Sequence, residues 1–151
     1  MKLSTKGRYG LRALIDLAQY SAETPVSITS ISARQNLSER YLEQLMYMLK
    51  KAGLVKSVRG AGGGYVLAKD MAEISVGDVL RALEGSLEPV ECAGLEPDGE
   101  CKASDYCVTK YVWQRINDSI SRTVDEIRLD QLVEKSRRKQ CTGLDRAGCK
   151  N

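Results

Sequence analysis

The segment "VSITSISARQNLSERYLEQLMYMLKKAGLVKSVRGAGGGYVLAKD" constrains the fold more than any other part of the chain. Ser27 is placed to cap a short helix that turns Ile28 and Ile31 inward. "QNL" reads as a turn, because Asn36 tolerates a left-handed backbone. Ser38 is placed to cap a second helix with Leu42, Leu45 and Leu49 on one face and Gly53 past its end. Two short helices joined by a tight turn make a helix-turn-helix. Two β-prone runs follow, Val55 to Val58 and Tyr65 to Leu67, joined by "RGAGGG". A Gly-rich hairpin directly after a second helix is a wing. The glycines do not make a phosphate loop, since the lysine of G-x-x-x-x-G-K-[ST] and the helix after it are missing.

On the second helix Arg40, Glu43, Gln44 and Tyr47 recur at 3/4 spacing, away from the leucine face. Forked donors and an amide are the side chains that read base edges. A solvated helix surface is the bland alternative. Arg59, at the edge of the hairpin tip, can enter a narrow minor groove or pair with phosphate. Charge supports a polyanionic partner for this half. Residues 1–69 carry eleven Lys and Arg against four Asp and Glu, while residues 70–151 carry twelve against sixteen. The net charge of +3 conceals this split.

The flanking segments complete a mainly helical chain. Leu11, Leu14, Ile15 and Ala18 define an amphipathic first helix that ends near "AETP". Ser75 is placed to cap a helix with Val76, Val79, Leu80 and Leu83 inward. From about Thr109 a long helix carries Val112, Ile116, Ile120, Val124 and Ile127, with Trp113 beside them. That ridge is too long for so small a domain to cover, which predicts a dimerisation helix. Packing onto its own domain is the alternative. "LDQLVEK" predicts a short last helix. The fold class is thus mainly α with a small β-hairpin wing. Residues 1–84 form the winged helix-turn-helix, 85–108 a cysteine-containing loop, 109–135 the dimerisation and final helices, and 136–151 a disordered polar tail.

The chain has five cysteines and no histidine. The N-terminus does not read as a signal peptide, because Arg12 and Asp16 interrupt any apolar run, and no stretch is long enough to span a membrane. A cytoplasmic setting is therefore expected, where cysteines are ligands or reactive thiols before they are disulfides. Cys92, Cys101 and Cys107 lie in a loop marked by Gly94, Pro97 and Gly99. Structural zinc sites show short C-x₂₋₄-C pairs, which are absent from this loop. Thiolates are the usual ligands of iron–sulfur clusters. Cys141 and Cys149 lie in the tail.

"MKLSTKGRYGLRALIDLA", "LSERYLEQL", "GLVKSVRGAGGGYVLAK", "ISVGDVLRALEG" and three cysteines before the "W" of the long helix together resemble the Rrf-two family of winged-helix regulators, within it the iron–sulfur cluster regulators. The resemblance runs from Met1 to about Lys135. It implies a homodimer that places two recognition helices in successive major grooves of an operator duplex, with the wings in the minor groove. It puts Glu43 and Gln44 at base-recognition positions, Arg40 and Tyr41 beside them, and Arg59 at the minor-groove position. It makes Cys92, Cys101 and Cys107 cluster ligands, favouring a 2Fe–2S cluster over 4Fe–4S. The family's fourth ligand is a His where this chain has Lys110, or in some relatives an aspartate where it has Arg8. The spacing from Cys92 to Cys101 is also longer than in the nearest relatives. Asp105, Glu91, Cys141, Cys149 and a side chain of the partner subunit are the candidates for the missing position.

The function this implies is sensing of iron–sulfur cluster status and control of cluster biogenesis genes. A nitric-oxide or cysteine-metabolism sensor of the same fold is the first alternative. A small thiol redox or electron-transfer protein is the second, disfavoured because no histidine can act as base and no C-x-x-C is present.

Overall fold

Six α-helices and one two-stranded hairpin make up the computed structural model, which describes residues 2–92 and 101–143. In chain order they are α1 (Thr5–Tyr20), α2 (Ile28–Gln35), α3 (Glu39–Lys51), β1 (Val55–Val58), β2 (Gly64–Leu67), α4 (Val76–Glu84), α5 (Val108–Glu126) and α6 (Leu129–Gly143). One turn of 3₁₀-helix, Met71–Glu73, precedes α4.

Serines start the helices as the sequence predicts. The Ser27 hydroxyl accepts from the Ser30 N–H at 3.1 Å, and that of Ser38 from the Tyr41 N–H at 3.3 Å. Ser75 and Asp78 exchange both bonds of a capping box. Asn36 ends α2 in the left-handed region at φ 53°, ψ 50°, which fixes the turn into α3. Leu42, Leu45, Met46 and Leu49 are fully buried and pack with Leu14, Leu17 and Ile31. The helix-turn-helix is therefore held by one continuous apolar core.

β1 and β2 pair antiparallel, from Val55 opposite Leu67 to Val58 opposite Gly64. Val26 bridges the other edge of β2, exchanging two backbone hydrogen bonds with Tyr65 at 2.8 and 2.9 Å. A Cβ on Gly64 would meet the Val26 carbonyl oxygen at 2.3 Å, so only glycine allows this approach.

A second, smaller apolar cluster joins α4 to α5. Val76, Leu80 and Leu87 are buried there, with Ile120, Val124, Ile127 and Leu132 packed against them. Arg81 of α4 pairs with Asp125 of α5 through both carboxylate oxygens at 2.6 and 3.0 Å. The long ridge is thus split. Its C-terminal half covers its own domain, whereas Tyr111, Val112 and Ile116 remain exposed.

α5 begins at Val108, one residue before the expected start. The tail expectation needs correction. α6 runs to Gly143, so residues 136–143 are helical rather than disordered. Leu129 and Val133 anchor it in the main core, and no glycine or proline follows until Gly143. The run "EKSRRKQ" is polar but made largely of good helix formers, so its polarity marks a solvated helix face and not lack of structure. Residues 144–151, including Cys149, lie outside the described residues.

Candidate nucleic-acid interface and cysteine loop

The face of α3 opposite its buried leucines carries Arg40, Glu43, Gln44 and Tyr47, all exposed. With Lys6 of α1 and Met48 they line an open depression of about 540 Å³. Tyr41 faces elsewhere. It is half-buried against α1, its ring edge-on to Tyr9 with centroids 6.3 Å apart. Its hydroxyl donates to Thr5 Oγ1 at 3.3 Å. This tyrosine thus stands beside the outer face of α3, its ring packed against α1.

Arg59 sits just past β1 at the exposed wing tip. The Lys50 ammonium donates to the Ser57 hydroxyl at 2.6 Å, tying the end of α3 to the wing. The outer face of α3 and the wing are thereby held in one orientation.

Three residues to which the sequence reading gave no structural role, Asp16, Arg34 and Gln35, brace this unit. Asp16 of α1 is 4% exposed and accepts from Arg34 at 2.7 Å and from Gln35 at 2.8 Å, both on α2. The hydrogen bond to Asp16 holds the Arg34 guanidinium pKa above its ordinary value. Arg34 also stacks 4.2 Å from the Tyr20 ring centroid. The available signal was Asp16 itself, a charge among the inward positions Ala13, Leu14 and Leu17.

The cysteine loop opens directly after α4. Cys92, Cys101 and Cys107 have free thiols and are half-buried. Cys107 is the N-cap residue of α5, and its sulfur lies 3.1 Å from Thr109 Oγ1. That hydrogen bond, then the Lys110 N–H, hold the Cys107 thiol below its ordinary pKa. The Lys110 ammonium donates to the Ser104 hydroxyl at 2.7 Å. Glu91 and Asp105 are exposed. Cys141 is on α6 and is disulfide-bonded.

These donors suit iron–sulfur chemistry by type, since three free thiols share one loop. The described chain does not gather them. Among the described residues no three His, Cys, Asp or Glu side chains stand close enough together to hold a metal ion. A single described subunit therefore supplies thiolates without a closed ligand set.

The sequence pattern of Rrf2, described as an iron-dependent transcriptional regulator, matches residues 3–135. The chain belongs to the Rrf2 family. It is 45% identical over 133 residues to the HTH-type transcriptional regulator IscR of Pectobacterium atrosepticum, covering 88% of this chain and 79% of that one. Among solved structures it is similar to CymR, the global cysteine regulator of B. subtilis. That match has 46% identity and a TM-score of 0.73, covering 89% of this chain and 98% of the other. It is also similar to T. potens IscR, with 44% identity and a TM-score of 0.71, covering 100% and 93%. Rrf2 proteins are transcriptional regulators, so the reading as a redox enzyme or electron carrier is set aside. Among the described residues no helix is long and apolar enough to cross a membrane.

Proposed function

We propose that this Rrf2 protein acts in the cytoplasm as a homodimer that binds double-stranded operator DNA and senses iron–sulfur cluster status to control cluster biogenesis genes. The observation that carries the DNA half is the outer face of α3. Arg40, Glu43 and Gln44 stand exposed on a helix whose other face is fully buried, and Lys50 fixes the Arg59 wing beside it. Arg40 and Gln44 suit guanine and adenine edges, and Glu43 accepts from a cytosine amino group. Arg59 and Lys6 suit phosphate or a narrow minor groove.

For the sensing half, Cys92, Cys101 and Cys107 would hold the cluster, 2Fe–2S in preference to 4Fe–4S. When bound, the cluster would supply a redox- and oxygen-sensitive reporter. The chain's own part is to present three thiols on the segment between α4 and α5. Glu84, the last residue of α4, meets the start of α1, and α1 meets Tyr41 behind the recognition face.

A second reading is a thiol-based regulator of cysteine metabolism. Lys110 favours it, because the position where the resemblance expects His holds an ammonium engaged with Ser104. One experiment separates the two. The protein is reconstituted anaerobically, analysed for iron, sulfide and visible absorption, and titrated in apo and loaded forms against duplexes selected from a random pool. Stoichiometric iron and sulfide with altered duplex preference supports cluster sensing. Failure to bind iron, with DNA binding intact and changed by thiol oxidation, supports the second reading. A Kd that does not weaken as salt rises would overturn DNA binding through phosphates.

A further inference from the structure

Tyr47 is 67% exposed, high for an aromatic ring on a helix whose other face builds the core. It stands between Glu43 and Gln44 around α3, one turn further along, since 3.6 residues make a turn. Among the described residues its hydroxyl meets no other side chain or backbone group by hydrogen bond and faces solvent. Met48 adds a half-buried thioether to the wall of the same depression. A polar row of Arg40, Glu43 and Gln44 is therefore interrupted by one apolar patch on the outward side.

We infer that the Tyr47 ring reads the 5-methyl group of a thymine neighbouring the base pair that Gln44 reads. The inference rests on the DNA-binding reading above and adds a specificity element to it. The thymine methyl is the one apolar group a base presents in the major groove, and apolar side chains recognise it. Gln44 and Tyr47 are i, i+3 neighbours, about 4.5 Å apart along the axis. Adjacent base pairs rise about 3.4 Å. A helix lying in the groove thus sets the two side chains over neighbouring steps. The Tyr47 position at the middle of the face aims its ring at the groove floor, whereas phosphate contacts come from the edges of such a face.

The test removes only the methyl group. A duplex selected from a random pool by the wild-type protein is resynthesised with each thymine replaced in turn by uracil. Binding is measured by fluorescence anisotropy for wild type, Tyr47→Phe and Tyr47→Ala, with melting curves to verify folding. One thymine per half-site should weaken wild-type binding about four-fold on replacement, and about fifteen-fold when replaced in both half-sites. Tyr47→Phe, which keeps the ring, should retain that dependence, and Tyr47→Ala should abolish it. A uracil effect that persists in Tyr47→Ala overturns the inference. So does a loss in Tyr47→Phe that is equal on all duplexes, which would make the hydroxyl a phosphate contact. A pool from which no duplex is enriched overturns the DNA-binding reading as well, and so is distinguishable from a failure at Tyr47 alone.

Discussion

The Glu84 carboxylate caps α1 from another helix, accepting from the Ser4 N–H and hydroxyl, both at 2.8 Å, and from the Gly7 N–H at 2.9 Å. The first N–H groups of a helix have no intrahelical partners, so these bonds satisfy donors that would otherwise need water. Glycine at position 7 makes the approach possible, since a Cβ there would meet Glu84 Oε1 at 2.4 Å. The bond joins the end of α4, where the cysteine loop departs, to the helix whose Thr5 receives the Tyr41 hydroxyl.

Glu84→Ala should therefore cost about 0.5–2 kcal/mol of stability, the range for loss of a helix cap. Glu84→Gln keeps an acceptor oxygen and should recover about half. Urea denaturation of the three proteins measures this. Equal stability of Glu84→Ala and wild type would mean that water replaces the carboxylate at no cost.

The split ridge of α5 separates folding from dimerisation. Ile116 is 38% exposed, whereas Ile120 packs on Val76 and Leu80 of its own chain. In the proposed dimer, Ile116→Asp buries an unpaired charge in the seam. It should yield a folded monomer by sedimentation, with its melting temperature measured at matched protein concentration. Ile120→Asp should instead lower the stability of the subunit itself, by about 2–4 kcal/mol. A dimeric Ile116→Asp would place the interface elsewhere.

Local chemistry made much of this fold readable from sequence. Ser27, Ser38 and Ser75 cap where a short hydroxyl precedes an apolar period, and Asn36 turns where a left-handed residue is needed. Pairings between distant segments were not readable. Val26 joining the wing, Asp16 bracing Arg34 and Glu84 capping α1 depend on which elements pack together. The outward positions of Arg40, Glu43 and Gln44 followed from the leucine period. Tyr41 lies beside them in sequence yet faces α1, because its aromatic partner Tyr9 is thirty-two residues away. The cysteine loop was legible as chemistry but not as geometry. Nothing in the order of its residues says which thiols meet.

Arg81 and Asp125 give a pH dependence with a definite sign. The hydrogen bond from Arg81 holds the Asp125 carboxyl below its ordinary pKa. A depressed folded-state pKa contributes stability above the unfolded value, lost as pH falls through the folded one. The pair is partly exposed, at 40% and 45%, so solvent screens it and its worth is at most about 1 kcal/mol. Asp125→Asn should be slightly less stable than wild type at pH 7. The difference should shrink below about pH 4, as Asp125 itself protonates. Melting curves from pH 2 to 8 check this, and a difference constant across that range would assign the effect to packing.

Lys110 offers the sharpest test of the proposed cluster site. Cys92→Ala, Cys101→Ala and Cys107→Ala should each abolish visible absorption after anaerobic reconstitution, because three thiolates leave no spare ligand. Lys110 is half-buried and donates to Ser104, and a protonated amine cannot bind iron. Lys110→His replaces it with a neutral donor at the first turn of α5, one turn past Cys107. Cluster loss in air should then slow, read as the decay of absorption with time. Lys110→Ala separates ligand gain from simple removal of charge. It frees Ser104 without adding a donor, and should leave the decay rate within about a factor of two of wild type if the imidazole is what matters. If Lys110→His decays like wild type while Asp105→Ala or Glu91→Ala bleaches the protein, the fourth ligand is an oxygen. If neither carboxylate variant bleaches it, Cys141→Ala and Cys149→Ala test the tail thiols, and only when these too keep their absorption does the remaining ligand fall to the second subunit.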